Sequence, residues 1–183
     1  MTLVRTRLLR GWMLGGALAL LASGTHAESS EAELLARLPK SKHGLQEALD
    51  AVKAEGAAPI SAKLEFEDGK LWLSVYGAKF GLDSCAEKNE LFELKGDATL
   101  DQWQPKREVF TDKEHLTRAS GQLTLMQTTS LTLDAAISKA TEMKQGSVYS
   151  AIPILNEGKT RIRLSARTAS GQSIQILVDE RTK

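Results

Sequence analysis

Past the first 27 residues, the side chains able to do covalent or acid-base chemistry are few: His43, His115, the single cysteine Cys85 and a scatter of carboxylates. A zinc centre of the usual Cys/His type needs three or four ligands at set spacing, and these three residues do not supply it. Glu114-His115 does not open a metalloprotease helix, because no second histidine follows. Gly158-Lys159-Thr160 resembles the end of a phosphate loop, yet Pro153 occupies the upstream position where that loop requires glycine. No nucleophile elbow or paired-glycine nucleotide fingerprint is present. Glu65 and Glu67 alternate with Leu64 and Phe66, which makes them the solvated side of a strand before it makes them acid-base catalysts. The sequence therefore points to no catalytic residues, no metal and no cofactor.

Binding surfaces remain. Trp72 and Tyr76 share one side of a strand, opposite its apolar side, and exposed aromatics of this kind are enriched in binding hot spots. Burial under the connector or against the other lobe is the competing expectation. Arg161, Arg163 and Arg167 point to one side of a later strand, and their charge could meet Glu65 and Glu67 or a charged partner. Cys85 reads either as a small, partly buried apolar residue or as a thiol that pairs with another chain or is oxidised. As the only cysteine, it excludes an intramolecular disulfide.

The elements that must position these residues recur. Leu45, Ala48, Leu49 and Val52 keep the spacing of one helix face, and Leu133, Ala136, Ile137 and Ala140 reproduce it 88 positions later. Gly56 and Gly146 suit helix ends that need a left-handed backbone, and Thr132 suits an N-cap. Beyond each glycine the period becomes two. Ala62, Leu64 and Phe66, then Leu71, Leu73 and Val75 after a turn at Asp68-Gly69, form a hairpin with one dry side. Ile162, Leu164 and Ala166, then Ile174, Ile176 and Val178, do the same in the second copy. Tyr149 to Leu155 has apolar residues on both faces and contains Pro153, the mark of an edge strand or bulge. Ser30 with Glu33 looks like a capping box opening a leading helix. Leu116, Ala119, Leu123 and Met126 keep helical spacing after a Thr111 or Asp112 cap. The first copy carries about seven extra residues around Gly81 to Asn89, including Cys85, as the repeat offset drops from 89 to 82 between Gly69/Gly158 and Asp97/Asp179.

A short amphipathic helix and a lone hairpin each need a partner for their apolar side, so helix on antiparallel sheet is the economical answer. The expectation is an α+β protein of two tandem lobes, each a helix packed on a small antiparallel sheet. They would span residues 28–104 and 130–183, with a partly helical connector at 105–129.

Residues 1–27 order a basic start at Arg5, Arg7 and Arg10, an apolar run from Trp12 to Ala22 and small residues in Thr25-His26-Ala27. That order is a secretory signal, too short in its apolar run for a membrane span, and it implies a periplasmic protein with no stable anchor after cleavage. Removing three basic residues from 24, against 23 acidic ones, leaves a net charge of −2. That balance argues against a dedicated nucleic-acid binder or a binder of anionic membranes.

The second copy, "SLTLDAAISKATEMKQGSVYSAIPILNEGKTRIRLSARTASGQSIQILVDE", resembles a PepSY domain, and the first, "GLQEALDAVKAEGAAPISAKLEFEDGKLWLSVYG" followed by "ELFELKGDAT", is similar but interrupted by the extra loop. The resemblance implies a helix followed by antiparallel strands in exported bacterial proteins, and related units occur in propeptides that assist or restrain thermolysin-type proteases. It implies no catalytic residues. The expected function is non-enzymatic binding of a protein or peptide, an envelope protease or another periplasmic protein, through Trp72, Tyr76, Cys85, Arg161, Arg163 and Arg167. A small-ligand sensor or cell-envelope scaffold is the alternative.

Overall fold

The computed structural model describes residues 24–143 and 146–180, with side chains from residue 31 onward. The expected leader thus lies outside the described residues except for Gly24 to Ala27, which open the first helix, α1 (Gly24–Arg37). Because α1 is already under way at Gly24, Ser30 lies inside it and is not its cap, contrary to the capping-box expectation. Then follow α2 (Leu45–Ala54), β1 (Ala58–Glu67), β2 (Lys70–Ala78), β3 (Leu91–Asp97), β4 (Lys106–Val109), α3 (Lys113–Gln127), α4 (Leu133–Glu142), β5 (Ser147–Asn156), β6 (Lys159–Arg167) and β7 (Ser173–Val178).

The strands do not form two small sheets. They make one antiparallel seven-stranded sheet in the order β4-β3-β2-β1-β5-β6-β7, which corrects the expectation of two lobes. Its physical basis is the open edge that each helix-and-hairpin unit leaves on its first strand. An unpaired edge presents a row of donors and acceptors, and β1 and β5 satisfy theirs with each other at Ala62 opposite Ala151 and Lys63 opposite Ser150. The seam is short because each strand carries a proline, Pro59 or Pro153, and a bulge, near Pro59/Ser61 in β1 and Val148/Ser150 in β5.

Local chemistry accounts for the hairpins. Asp68 and Gly69 both take positive φ (51° and 77°), as do Glu157 and Gly158 (52° and 73°), the backbone that a tight two-residue β-turn needs. Gly146 is required for another reason than a helix end: a Cβ there would stand 2.3 Å from the carbonyl oxygen of Arg167. Thr132 caps α4 by accepting from Ala135 N, and Asp112 caps α3 by accepting from His115 N.

The inner face of the sheet carries Leu64, Leu73, Val75 and Phe92 from one half and Ala151, Ile162, Leu164 and Val178 from the other, all buried. α2 and α4 lie side by side over it, presenting Leu45, Ala48, Leu49 and Val52, and Leu133, Ala136 and Ala140. Asp134 ties them together by accepting from Gln46 and Lys53. One core results, and each fully buried Leu or Ile in it contributes about 1.5–3 kcal/mol. α3, from the expected connector, crosses the opposite, outer face, where Ser61 Oγ donates to Gln122 Oε1 at 2.7 Å. β4 was not expected; it is a four-residue edge, exposed throughout, held by Arg107 to Glu55 and Glu90 with its guanidinium 4.1 Å from the Phe92 ring centre.

Candidate functional site

Alternation along each strand sends every second side chain to the outer face. On β1, β2 and β3 these include Lys63 and Glu65, Trp72, Ser74 and Tyr76, and Glu93 and Lys95. On β5, β6 and β7 they include Ile152, Arg161, Arg163, Gln175 and Leu177. What the sequence suggested as the outer sides of two lobes is thus one continuous face. α3 roofs its first half and crosses β5 as far as Thr160 of β6, which Thr128 bonds, and it leaves the far part of the second half open, since Gln175 is exposed and Leu177 is 41% exposed.

Under the roof the charges are interlocked. Glu65 receives Lys63, and it receives Lys95 at 3.0 Å, while Lys95 also reaches Glu67 at 2.8 Å. Burial opposes ionisation of Glu65, but Lys63 and Lys95 outweigh it and hold its carboxyl below the ordinary 4.5. Burial likewise opposes the charge on Lys95, and its bonds to Glu67 and Glu65 prevail, keeping the ammonium above its ordinary value. Trp72 is half-buried between Lys70 and Lys95, each 5.5 Å from its ring centre, and donates from Nε1 to the Glu67 carbonyl.

Tyr76 is not an exposed anchor. Phe110 packs edge-on against it with ring centres 4.7 Å apart, and His115 stacks on Phe110 at 5.2 Å. Burial, followed by the nearby Glu93 charge, pushes the Tyr76 phenol above its ordinary value, with Arg118 acting in the other direction. Arg118 in turn pairs with Glu114 at 2.7 Å. Ser61, Ser74 and Glu93 are the buried polar residues among the described ones, and all three lie beneath α3, with Ser74 Oγ donating to Glu93. Two hollows open there, and Lys63, Tyr76 and Arg118 line both. One, of about 200 Å³, is bounded by Ser61, Gln122 and Ile152; the other, of about 340 Å³, by Glu65, Glu93 and Glu114.

In the open half the three arginines differ. Arg161 is turned toward Asn156 and Glu157, and Arg167 donates from Nε to the Leu35 carbonyl of α1 at 3.0 Å. Arg163 has no side-chain hydrogen bond or ion pair among the described residues, and its cross-strand neighbours are Ile152 and Leu177. The acids Glu65 and Glu67 are taken by lysines, so no ion pair joins them to these arginines among the described residues, unlike one of the arrangements anticipated.

Cys85 sits apart from the others and is exposed and unpaired, not partly buried. Its loop is ordered by hydrogen bonds: Asn89 Nδ2 donates to Gly81 O and Ser84 O, and Gln127 Nε2 of α3 donates to Leu82 O and Ser84 O. His115 bonds Asp112 at 2.7 Å, His43 bonds Glu47 and the Leu100 carbonyl, and neither meets Cys85. The structure thus brings Trp72, Tyr76, Arg161 and Arg163 to one face, turns Arg167 to α1 and leaves Cys85 aside. Sequence reasoning missed Lys63, Ser74, Glu93, Lys95 and Arg118. The alternation Phe92-Glu93-Leu94-Lys95 carried a signal for two of them, whereas nothing local places Arg118 of α3 over β2.

Among the described residues no set of three His, Cys, Asp or Glu side chains is arranged to hold a metal, and no helix is long and apolar enough to cross a membrane. No family model matches the chain. No curated protein matches it either. The crystal structure of a candidate lipoprotein from Clostridium difficile 630 is similar to it at 18% identity, over 78% of this chain and 92% of that one, with a TM-score of 0.39. A likeness of that size assigns neither function nor place in the cell.

Proposed function

We propose that this chain is an exported, non-enzymatic binding protein of PepSY type that docks a protein or peptide on the open half of its outer sheet face. The observation that carries the proposal is Arg163, a cation without a partner among the described residues, set between Ile152 and the exposed Leu177. A guanidinium over apolar side chains loses little hydration on docking and gains much from a carboxylate, which is why arginine recurs in binding hot spots. The partner's contact therefore carries an acidic group beside an apolar one. The basic start, apolar run and small residues before Glu28 support delivery to the periplasm. The PepSY resemblance favours an envelope protease as the kind of partner.

The test is binding and inhibition by the purified processed protein against envelope proteases, with Arg163→Glu beside the wild type. Binding or slowed proteolysis that Arg163→Glu abolishes supports the proposal. A wild type with no effect on any protease and no retained envelope protein contradicts it.

A further inference from the structure

The roofed half of the face has an unbalanced charge. Four carboxylates, Glu65, Glu67, Glu93 and Glu114, border the larger hollow together with three permanent cations, Lys63, Lys95 and Arg118, and with His115, which is turned to Asp112. The cations are taken: Lys63 by Glu65, Lys95 by Glu65 and Glu67, and Arg118 by Glu114. Glu93 is left without an ion pair among the described residues, and at 9% exposure it is the most buried of the four. Its one hydrogen bond, from Ser74, leaves most of the carboxylate's accepting capacity unused. A carboxylate removed from water without a counter-charge is destabilising, so a fold that keeps one facing a hollow is prepared for a cation from outside.

The shape of the space narrows that cation. Glu93 stands directly opposite Tyr76 in the β2–β3 ladder, and Tyr76 also borders the smaller hollow, whose apolar side chain is Ile152. An ammonium at Glu93 would place a short alkyl chain along Tyr76 toward Ile152. A bare metal ion has no use for that apolar end, and no second carboxylate is free to complete its ligand set.

We infer that the hollow beneath α3 binds a primary ammonium group on a short aliphatic chain, with Glu93 as its counter-ion. The chemistry fits a free alkylamine or a lysine side chain of a bound peptide. This goes beyond the docking on the open half, because its charged anchor is Glu93 and not Arg163, although Ile152 borders both.

The processed protein is titrated with n-butylammonium, Nα-acetyl-lysine N-methylamide and, as a neutral control, n-butanol, following the side-chain carboxyl carbon resonances of its glutamates. Saturable shifts at Glu93 with the two ammonium probes and none with n-butanol are expected. Tighter binding of the lysine derivative identifies a peptide as the source, and tighter binding of n-butylammonium a free amine. Glu93→Gln, which is isosteric and retains an acceptor for Ser74, should weaken ammonium binding at least tenfold. The wild-type resonance of Glu93 decides the matter even if that variant does not fold. Arg163→Glu should leave the titration unchanged, so this site and the docking face can fail separately. No saturable Glu93 shift with either probe, equal binding of n-butanol, or undiminished binding in a folded Glu93→Gln protein would overturn the inference.

Discussion

Ala62 of β1 stands directly across from Ala151 of β5, and both are closed to solvent. Through this small-residue contact the two halves share one sheet and one core. The processed protein should therefore unfold in a single cooperative transition, with coincident loss of far-ultraviolet dichroism and tryptophan fluorescence. Ala151→Leu should overfill the seam and cost about 1–3 kcal/mol. Two separate transitions would show that the halves are independent.

Leu73 and Leu164 occupy inner positions in the two halves, and each is 0% exposed. Leu73→Ala and Leu164→Ala should each cost about 2–5 kcal/mol, and Arg163→Ala on the outer side no more than about 0.5 kcal/mol. Urea denaturation with unchanged slope measures all three.

Gly77 of β2 faces Phe92 of β3 so closely that a Cβ would come within 2.5 Å of the ring. Gly77→Ala should destabilise by about 1–3 kcal/mol, and Phe92→Leu in the same chain should recover part of that loss. Strictly additive losses in the double variant would refute the contact.

Glu65 and Lys95 give stability a pH dependence with two limbs. The Glu65 carboxyl lies below its ordinary 4.5, so its contribution is complete above that value and is lost as pH falls through the lower folded value. The Lys95 ammonium lies above its ordinary 10.5, so its contribution is complete below that value and fades as pH climbs toward the higher folded one. Glu65→Gln should flatten the acid limb of the urea midpoint against pH, and Lys95→Met the alkaline limb.

The helices of both halves and their hairpins were legible because each writes a period into adjacent residues. Leu45 to Val52 and Leu133 to Ala140 show the helical stripe, and Asp68-Gly69 marks a turn that the backbone then takes. The joining of β1 to β5 was not legible. It rests on two register pairs between residues 89 and 87 positions apart, in strands whose prolines and bulges each imitate a free edge. β4 was too short to write a period. The site was half legible for the same reason: alternation put Trp72, Arg161 and Arg163 on the outer face, while the burial of Tyr76 and the isolation of Glu93 depend on where α3 crosses, which no local pattern records.

Docking on the open half of the outer face is tested most directly by comparing envelope-protein capture by the wild type, Arg163→Glu and Ser138→Glu, the last on an exposed position of α4 at the opposite side of the sheet. The prediction is one partner whose acidic segment is protected in the complex, held equally by the wild type and Ser138→Glu and released by Arg163→Glu. A partner that Arg163→Glu retains in full, or that Ser138→Glu alone releases, would contradict it.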